Sequence, residues 1–251
     1  MISWSRKRRL VYAGSVLIVA LGISIAGFIV FVYKAPTCFD GLMNGSEFGV
    51  DCGGSCERLC ASAFLPPSVS WTRFEEVGPG LYNVAAYVVN PNREGQARKV
   101  PYHVMMYDAR GVLIVEHRGE ADIPPQRSTL IFDRMIDTGK RVPARALFEF
   151  TTSADWRSAK DSLVSLVIGE KKYTEEGSGS ALTVELKNNS VYSLPQMSVY
   201  AILYDVNSNA IGFSKTILDG IGPKDTALAP FTWPVNREGK VVSIEVLPVA
   251  E

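Results

Sequence analysis

Ala201-Ile-Leu-Tyr204-Asp205 is an apolar run that ends in a Tyr-Asp pair and opens into the turn Val206-Asn-Ser-Asn209. A counterpart lies about 97 residues upstream, where Val104-Met-Met-Tyr107-Asp108 is followed by Ala109-Arg-Gly111. Working outward, Leu81-Tyr-Asn-Val-Ala-Ala-Tyr-Val-Val-Asn90 lines up with Leu182-Thr-Val-Glu-Leu-Lys-Asn188, both ending in Asn and a turn. Ile123-Pro124-Pro125 lines up with Ile221-Gly222-Pro223, followed by Thr129 and Phe132 in one copy and Thr226 and Phe231 in the other. Leu147-Phe-Glu-Phe150 is matched with Ser243-Ile-Glu-Val246. Residues 68–151 and 163–248 therefore read as two copies of one unit. A solenoid repeat would be about 20–50 residues long, whereas a unit of about 90 can carry its own core.

Each copy alternates β-branched and aromatic residues with Gly, Pro, Asn and Asp, giving six or seven short strands and almost no helical periodicity. The expected fold class is all-β: two tandem immunoglobulin-like antiparallel β-sandwiches, at 66–153 and 160–251. Neither copy contains cysteine, so both cores must rest on apolar packing. Val104, Met106, Val199, Ala201 and Leu203 are expected to point inward, and the residues next to them the other way.

The Asn-terminated strand, the apolar strand ending in Leu203-Tyr204-Asp205, the Asn-rich turn and the later Pro-containing loop together resemble FxLYD-type domains. The first copy departs at Met106, where that pattern has Leu. The resemblance implies small β-sandwiches on bacterial envelope proteins, generally without assigned catalysis.

N-terminal to the repeats, Leu10 to Tyr33 contains no charged residue. As a helix this run would be about 36 Å long, enough for a hydrocarbon core of about 30 Å. Trp4, Tyr12 and Tyr33 lie near its ends, where amphipathic rings favour the interface. Arg6, Lys7, Arg8 and Arg9 precede it and Lys34 follows, so positive-inside bias puts residues 1–9 in the cytoplasm and the rest beyond a transmembrane helix at 10–33. A cleaved signal peptide is the competing reading, but its apolar run would be about 7–15 residues with small residues at the cut. Val32-Tyr33-Lys34-Ala35-Pro36 makes a poor site for that cut.

The 26 basic and 26 acidic residues balance, but setting aside the basic tail leaves 22 against 26. A mildly acidic body argues against nucleic-acid binding, which needs clustered cations.

Cys38, Cys52, Cys56 and Cys60 all fall in the segment 34–62. Its dense glycines predict a chain of tight turns. The run Cys38-x-Asp40-Gly41-x-x-Asn44-Gly45-x-Glu47-x-Gly49-x-Asp51-Cys52-Gly53-Gly54-x-Cys56 resembles a short cysteine-rich motif of extracellular and cell-surface proteins, and implies location more than activity. Three readings stand. Two disulfides suit an oxidising compartment. A four-cysteine zinc site is an alternative, although the spacing is not that of paired knuckles. Calcium held by Asp40, Asn44, Glu47 and Asp51 is the third, compatible with disulfides but unlike an EF-hand loop.

Catalytic patterns are scarce. The only two histidines, His103 and His117, fall on or beside predicted strands of the first copy. There is no nucleophile elbow, no phosphate loop and no dinucleotide fingerprint. Gly177-Ser-Gly-Ser180 reads as a flexible turn, and Glu75-Glu76 and Glu175-Glu176 as solvated strand ends. Trp71 and Trp233 are expected in cores or at their ends, while Trp156, between the copies, is the candidate for an interface residue at the inter-domain junction. The expected function is a non-catalytic binding or assembly module of the cell envelope, partnered by the membrane through 10–33 and by envelope or surface proteins. No cofactor is expected apart from calcium at the cysteine-rich segment. The alternative is a passive spacer whose cysteine-rich segment binds calcium.

Overall fold

A basic start and then a long apolar run without proline or charge carry one helix at the N-terminus, α1 (Trp4–Phe31). The computed structural model describes residues 4–31, 35–125, 127–159, 163, 165–177, 179–233 and 240–250. The chain divides into two units, Met1–Cys56 and Glu57–Glu251. In the first, α1 starts before the expected span and takes in the basic residues Arg6–Arg9, while Tyr33 and Lys34 lie outside the described residues. None of its most apolar stretch is buried, and its mean hydropathy is 2.4. Among the described residues it is the one helix long and apolar enough to cross a membrane. Turns and a Gly49–Cys52 bridge make up the rest of this unit.

Among its described residues, the regular structure of the second unit is β apart from a 3-10 turn at Ala61–Ala63. The first copy supplies β1 (Ser68–Gly78), β2 (Leu81–Val89), β3 (Gly95–Tyr107), β4 (Leu113–Ile123), β5 (Ser128–Asp137) and β6 (Arg145–Phe150), with a two-residue strand β7 (Arg157–Ser158). The second supplies β8 (Leu166–Glu176), β9 (Gly179–Asn188), β10 (Met197–Tyr204), β11 (Ala210–Leu218), β12 (Thr226–Trp233) and β13 (Ser243–Ala250). Four antiparallel sheets result, ordered β1-β2-β5, β4-β3-β6, β12-β9-β8 and β11-β10-β13. In each copy the first, second and fifth strands make one sheet, and the third, fourth and sixth the other. β7 pairs with the start of β3, so residues 157–158 stay with the first sandwich. Val84, Ala86, Val88, Val104, Met106 and Phe148 fill the first core. Leu182, Val184, Val199, Ala201, Leu203, Phe231 and Trp233 fill the second. The inward positions read from sequence are buried as expected.

The turn chemistry repeats atom for atom. Asp108 Oδ1 accepts the amides of Arg110 and Val112, and Asp205 Oδ1 those of Asn207 and Asn209. These amide bonds, together with Arg141 on Asp108 and the Asn209 side chain on Asp205, hold both carboxyls below the ordinary range. The left-handed residue of the turn is Gly111 (φ 79°) in the first copy and Ser208 (φ 61°) in the second. Buried Asn90 and Asn188 are latches. Asn90 Nδ2 donates to Gly95 O and Pro124 O, both at 2.7 Å. Asn188 Nδ2 donates to Tyr192 O, Ile221 O and Gly222 O. The two Ile-containing loops matched in sequence are thus the loops that the two asparagines hold.

Two sequence matches are displaced. Val84 faces Asp133 in the first copy and Leu182 faces Phe231 in the second, so Phe231 corresponds to Asp133 and not to Phe132, a slip of one residue that changes its face. The other displacement is at the last strand. Met105 faces Leu147 across the first sheet and Ile202 faces Glu245 across the second, so Glu245 corresponds to Leu147 and not to Glu149. The slip is two residues, one strand period, so every side chain keeps its face.

A fourth apolar cluster joins the sandwiches. Ala85, Leu130, Ile202 and Phe213 are its buried members, with Trp71, Tyr87, Phe132, Tyr200, Tyr204 and Leu247 packed around them. The outer face of β1-β2-β5 thus lies on the outer face of β11-β10-β13. The Phe132 and Phe213 rings meet edge to face at 5.6 Å. Glu245 receives the phenols of Tyr87 from one sandwich (2.8 Å) and Tyr204 from the other (2.9 Å).

Candidate functional site

The cysteine-rich segment is oxidised. Cys38 pairs with Cys56, Cys52 and Cys60 are also disulfide-bonded, and no cysteine is free. The four-thiolate zinc alternative is thereby excluded, because a disulfide sulfur is no thiolate ligand. Its carboxylates are spent on the backbone. Asp51 accepts Gly41 N with both oxygens, at 3.1 and 3.0 Å. Asp40 accepts Leu42 N, Thr37 N and the Asn44 amide. The Asn44 amide is the largest influence holding Asp40 below the usual carboxylate range, with Leu42 N next. Glu47 Oε2 accepts Asn44 N at 3.1 Å. Cys38, Glu47 and Cys56 form the one grouping of metal-type donor atoms among the described residues, and in it only Glu47 offers a ligand. Asn44 Oδ1 is buried without a partner.

Trp156 is buried, but at the end of the first sandwich, among Ala97, Val100, Ile123 and Ala154. Its ring stacks on Phe64 at 6.0 Å, and its carbonyl accepts Leu59 N at 2.8 Å. It therefore fastens the chain that follows the cysteines to the first sandwich, beside an apolar hollow of about 320 Å³ that also touches Pro66, Pro67 and Phe150. The cluster between the sandwiches is built by other residues. Trp71 belongs to it, packed on Tyr87. Trp233 is in the second core and donates to Phe213 O.

Along the junction runs a cleft of about 440 Å³, lined by Tyr102, Glu120, Asp122 and Asp133 from the first sandwich and Ser198, Tyr200 and Lys215 from the second. Asp133 interrupts the apolar strand Leu130-Ile-Phe-Asp133. Its Oδ1 accepts the Tyr102 phenol at 2.7 Å and lies 3.7 Å from His117 Nε2, while Oδ2 is buried without a partner. Burial pushes the Asp133 carboxyl up, against the opposing pull of Tyr102 and His117. Burial likewise pushes up the Tyr102 phenol, with the Asp133 bond adding to it. The phenol therefore stays protonated and donates.

Strand registers place Val199, Ser214 and Phe231 of the second copy where Tyr102, His117 and Asp133 stand in the first. The position is an apolar core residue, Phe231, in the second copy and a carboxylate, Asp133, in the first. Sequence reasoning missed this group because it matched Phe231 with Phe132; the signal available was an Asp directly after the apolar run Leu130-Ile-Phe132. Chemically the cleft presents the exposed carboxylates of Glu120 and Asp122 from one sandwich and the Lys215 side chain from the other, with Asp133 Oδ2 shielded from solvent. His103, between Glu116 and Glu149, lies on the outer face of β4-β3-β6 and takes no part. Glu75 lies half-buried within β1, three residues before its end, and Glu175 is exposed next to the last residue of β8, whereas Ser178 and the Glu176 side chain lie outside the described residues.

Neither a protein-family description nor a curated protein matches the chain. Solved structures match only loosely. A red sea bream transglutaminase is 11% identical over 74% of this chain and 31% of its own, with a TM-score of 0.24. A Bacteroides uniformis β-glucuronidase is 10% identical over 87% and 29%, at 0.24. A putative Bacteroides fragilis β-galactosidase is 11% identical over 74% and 41%, at 0.21. The chain spans less than half the length of each, and likeness at this level carries no functional argument.

Proposed function

We propose that this is a single-pass membrane protein of the cell envelope that works as a non-catalytic binding or assembly module. Residues 1–9 lie in the cytoplasm, and the oxidised segment and both sandwiches lie outside. The anchor reading draws on the length, hydropathy and exposure of α1, and its orientation on the four basic residues before the span. Disulfides fit an extracytoplasmic, oxidising compartment. The strand order, with first, second and fifth against third, fourth and sixth, and the matched Asp turns support an immunoglobulin-like, FxLYD-type assignment.

The observation that carries the binding reading is the junction cleft, where the first copy has the carboxylate Asp133 at a position that is the apolar core residue Phe231 in the second. A wall from each sandwich, with the Glu120 and Asp122 carboxylates on one and Lys215 on the other, makes a place for a charged or donor-bearing group of a partner. The test is crosslinking in intact cells followed by mass spectrometry, comparing the native chain with the cleft variants Glu120→Lys and Lys215→Glu. The expected result is a specific envelope partner whose capture falls in both variants. Capture of no partner by the native chain would overturn the binding reading in favour of a passive spacer. Protease added to intact spheroplasts should digest residues beyond 34 and spare the N-terminus.

The spacer reading with calcium at the cysteine-rich segment draws on the unpartnered Asn44 Oδ1. A rise in melting temperature with millimolar calcium would favour it, since a ligand stabilises the state it binds.

A further inference from the structure

Between Phe39 and Val50, five large apolar side chains stand in solvent: Phe39 is 90% exposed, Phe48 79%, Leu42 63%, Met43 62% and Val50 56%. Single exposed apolar residues are ordinary on a protein surface, but five in so short a stretch are not. Their exposure is imposed by the local fold. Cys38 is tied to Cys56, Asp51 is bound to Gly41 N, and Gly54 has φ +60° with its α-carbon against the Ser46 carbonyl. The disulfide and the amide–carboxylate bonds hold this small knot, and the large apolar side chains between Phe39 and Val50 stay outside it.

We propose that this knot docks on the membrane itself. Phe39, Leu42, Met43, Phe48 and Val50 would enter the interfacial layer of the leaflet from which α1 emerges. This rests on the anchor reading given above. The tether argues for lipid as the occupant. Phe39 is eight residues beyond Phe31, the last described residue of α1, and a fully extended chain of that length reaches about 28 Å at most. The disulfide between Cys38 and Cys56 then returns the later residues to the same neighbourhood. Apolar side chains held this close to a bilayer meet the acyl boundary at high local concentration, with no diffusional search.

Charge specifies the kind of lipid. Residues 35–56 contain Asp40, Glu47 and Asp51 but no lysine or arginine. Anionic headgroups, which recruit basic clusters, would be repelled. The three carboxylates are bonded to backbone amides within the knot. The surface therefore suits zwitterionic headgroups and works by apolar insertion alone.

The test uses the full chain reconstituted in phosphatidylcholine liposomes, with p-benzoylphenylalanine replacing Phe28, Phe39 or Phe48 one at a time. After irradiation, adducts are identified by mass spectrometry. Intact mass without reductant checks that the disulfides have formed, and Leu42 serves as a replacement site if either Phe variant fails that check. The inference expects lipid adducts at Phe39 and Phe48 as well as at Phe28. Lipid at Phe28 with none at Phe39 and Phe48 overturns it while leaving the anchor intact. Adducts to protein at Phe39 and Phe48 overturn it in favour of a protein-docking face. No lipid at any position removes the anchor reading, and this inference with it.

Discussion

Asn188 offers the sharpest energetic test of how the repeat is built. It is fully buried. Its Nδ2 donates to Tyr192 O (2.7 Å), Ile221 O (3.1 Å) and Gly222 O (2.8 Å). Its Oδ1 accepts Ser190 N (2.9 Å) and Ser190 Oγ (2.8 Å). Asn188→Ala removes all of these. The three carbonyls keep other donors, since Leu194 N reaches Ile221 O, Asp225 N reaches Gly222 O and Ser190 Oγ reaches Tyr192 O. The loss is therefore about four net hydrogen bonds at roughly 1 kcal/mol each, less what relaxation and water recover, or about 3 kcal/mol. For a unit of this size that lowers the melting temperature by about 6–12 °C. Asn188→Asp keeps the volume but points a carboxylate at three carbonyl oxygens, so it should be worse than Ala. Asn90, holding Gly95 and Pro124 carbonyls in the first copy, should behave the same way. Urea titration of the full chain in detergent micelles, followed by tryptophan fluorescence, measures all three. A cost under about 1 kcal/mol for Asn188→Ala, or an Asp variant no worse than Ala, would refute the latch account.

The junction is tested at Glu245: Tyr87→Phe and Tyr204→Phe should each cost about 1 kcal/mol. Because both phenols serve one carboxylate, a double-mutant cycle by urea titration should show coupling of about 0.5 kcal/mol or more, and strict additivity would argue that the two bonds are independent. Asp133→Asn should raise the melting temperature at pH 7. The folded-state pKa of Asp133 is raised by burial, so the carboxyl's contribution to stability is full below the unfolded value of about 3.9 and is lost as pH rises through the folded value. Asn never ionises, so the gain should open above about pH 4 and vanish at pH 3; a constant difference across that range would mean that ionisation is not its source. Ser208 takes a left-handed φ of 61° where the first copy has Gly111. Ser208→Gly should therefore gain about 0.5–1 kcal/mol by thermal melting, and a loss would show that the serine side chain supports the turn.

How far the sequence could be read depended on whether a residue's role was local. The turn aspartates and latch asparagines act on backbone within their own copy, so Tyr107-Asp108 and Tyr204-Asp205 marked hairpins, and Asn90 and Asn188 marked strand ends. The junction is a different matter. β2 reads Val84-Ala-Ala-Tyr-Val88 and β10 reads Val199-Tyr-Ala-Ile-Leu-Tyr204. Uninterrupted apolar runs of this kind mean burial on both faces, whereas the alternation expected of β10 accounts only for Val199, Ala201 and Leu203, which point inward. The residues between, Tyr200, Ile202 and Tyr204, meet the other sandwich. Trp156 drew attention by lying between the copies in the chain, but position along a chain does not decide which faces meet. The face chosen has a physical cause that the repeat exposes. The outer side of β11-β10-β13 carries Ile202, Tyr204 and Leu247. The corresponding outer side of β4-β3-β6 carries His103, Glu116 and Glu149, paired among themselves. Two copies of one fold thus present one apolar and one charged version of the same sheet face. The mostly apolar version lies against β1-β2-β5 and carries one carboxylate there, Glu245, whose oxygens accept the Tyr87 and Tyr204 phenols, whereas the charged version would bring two carboxylates and a histidine into the contact.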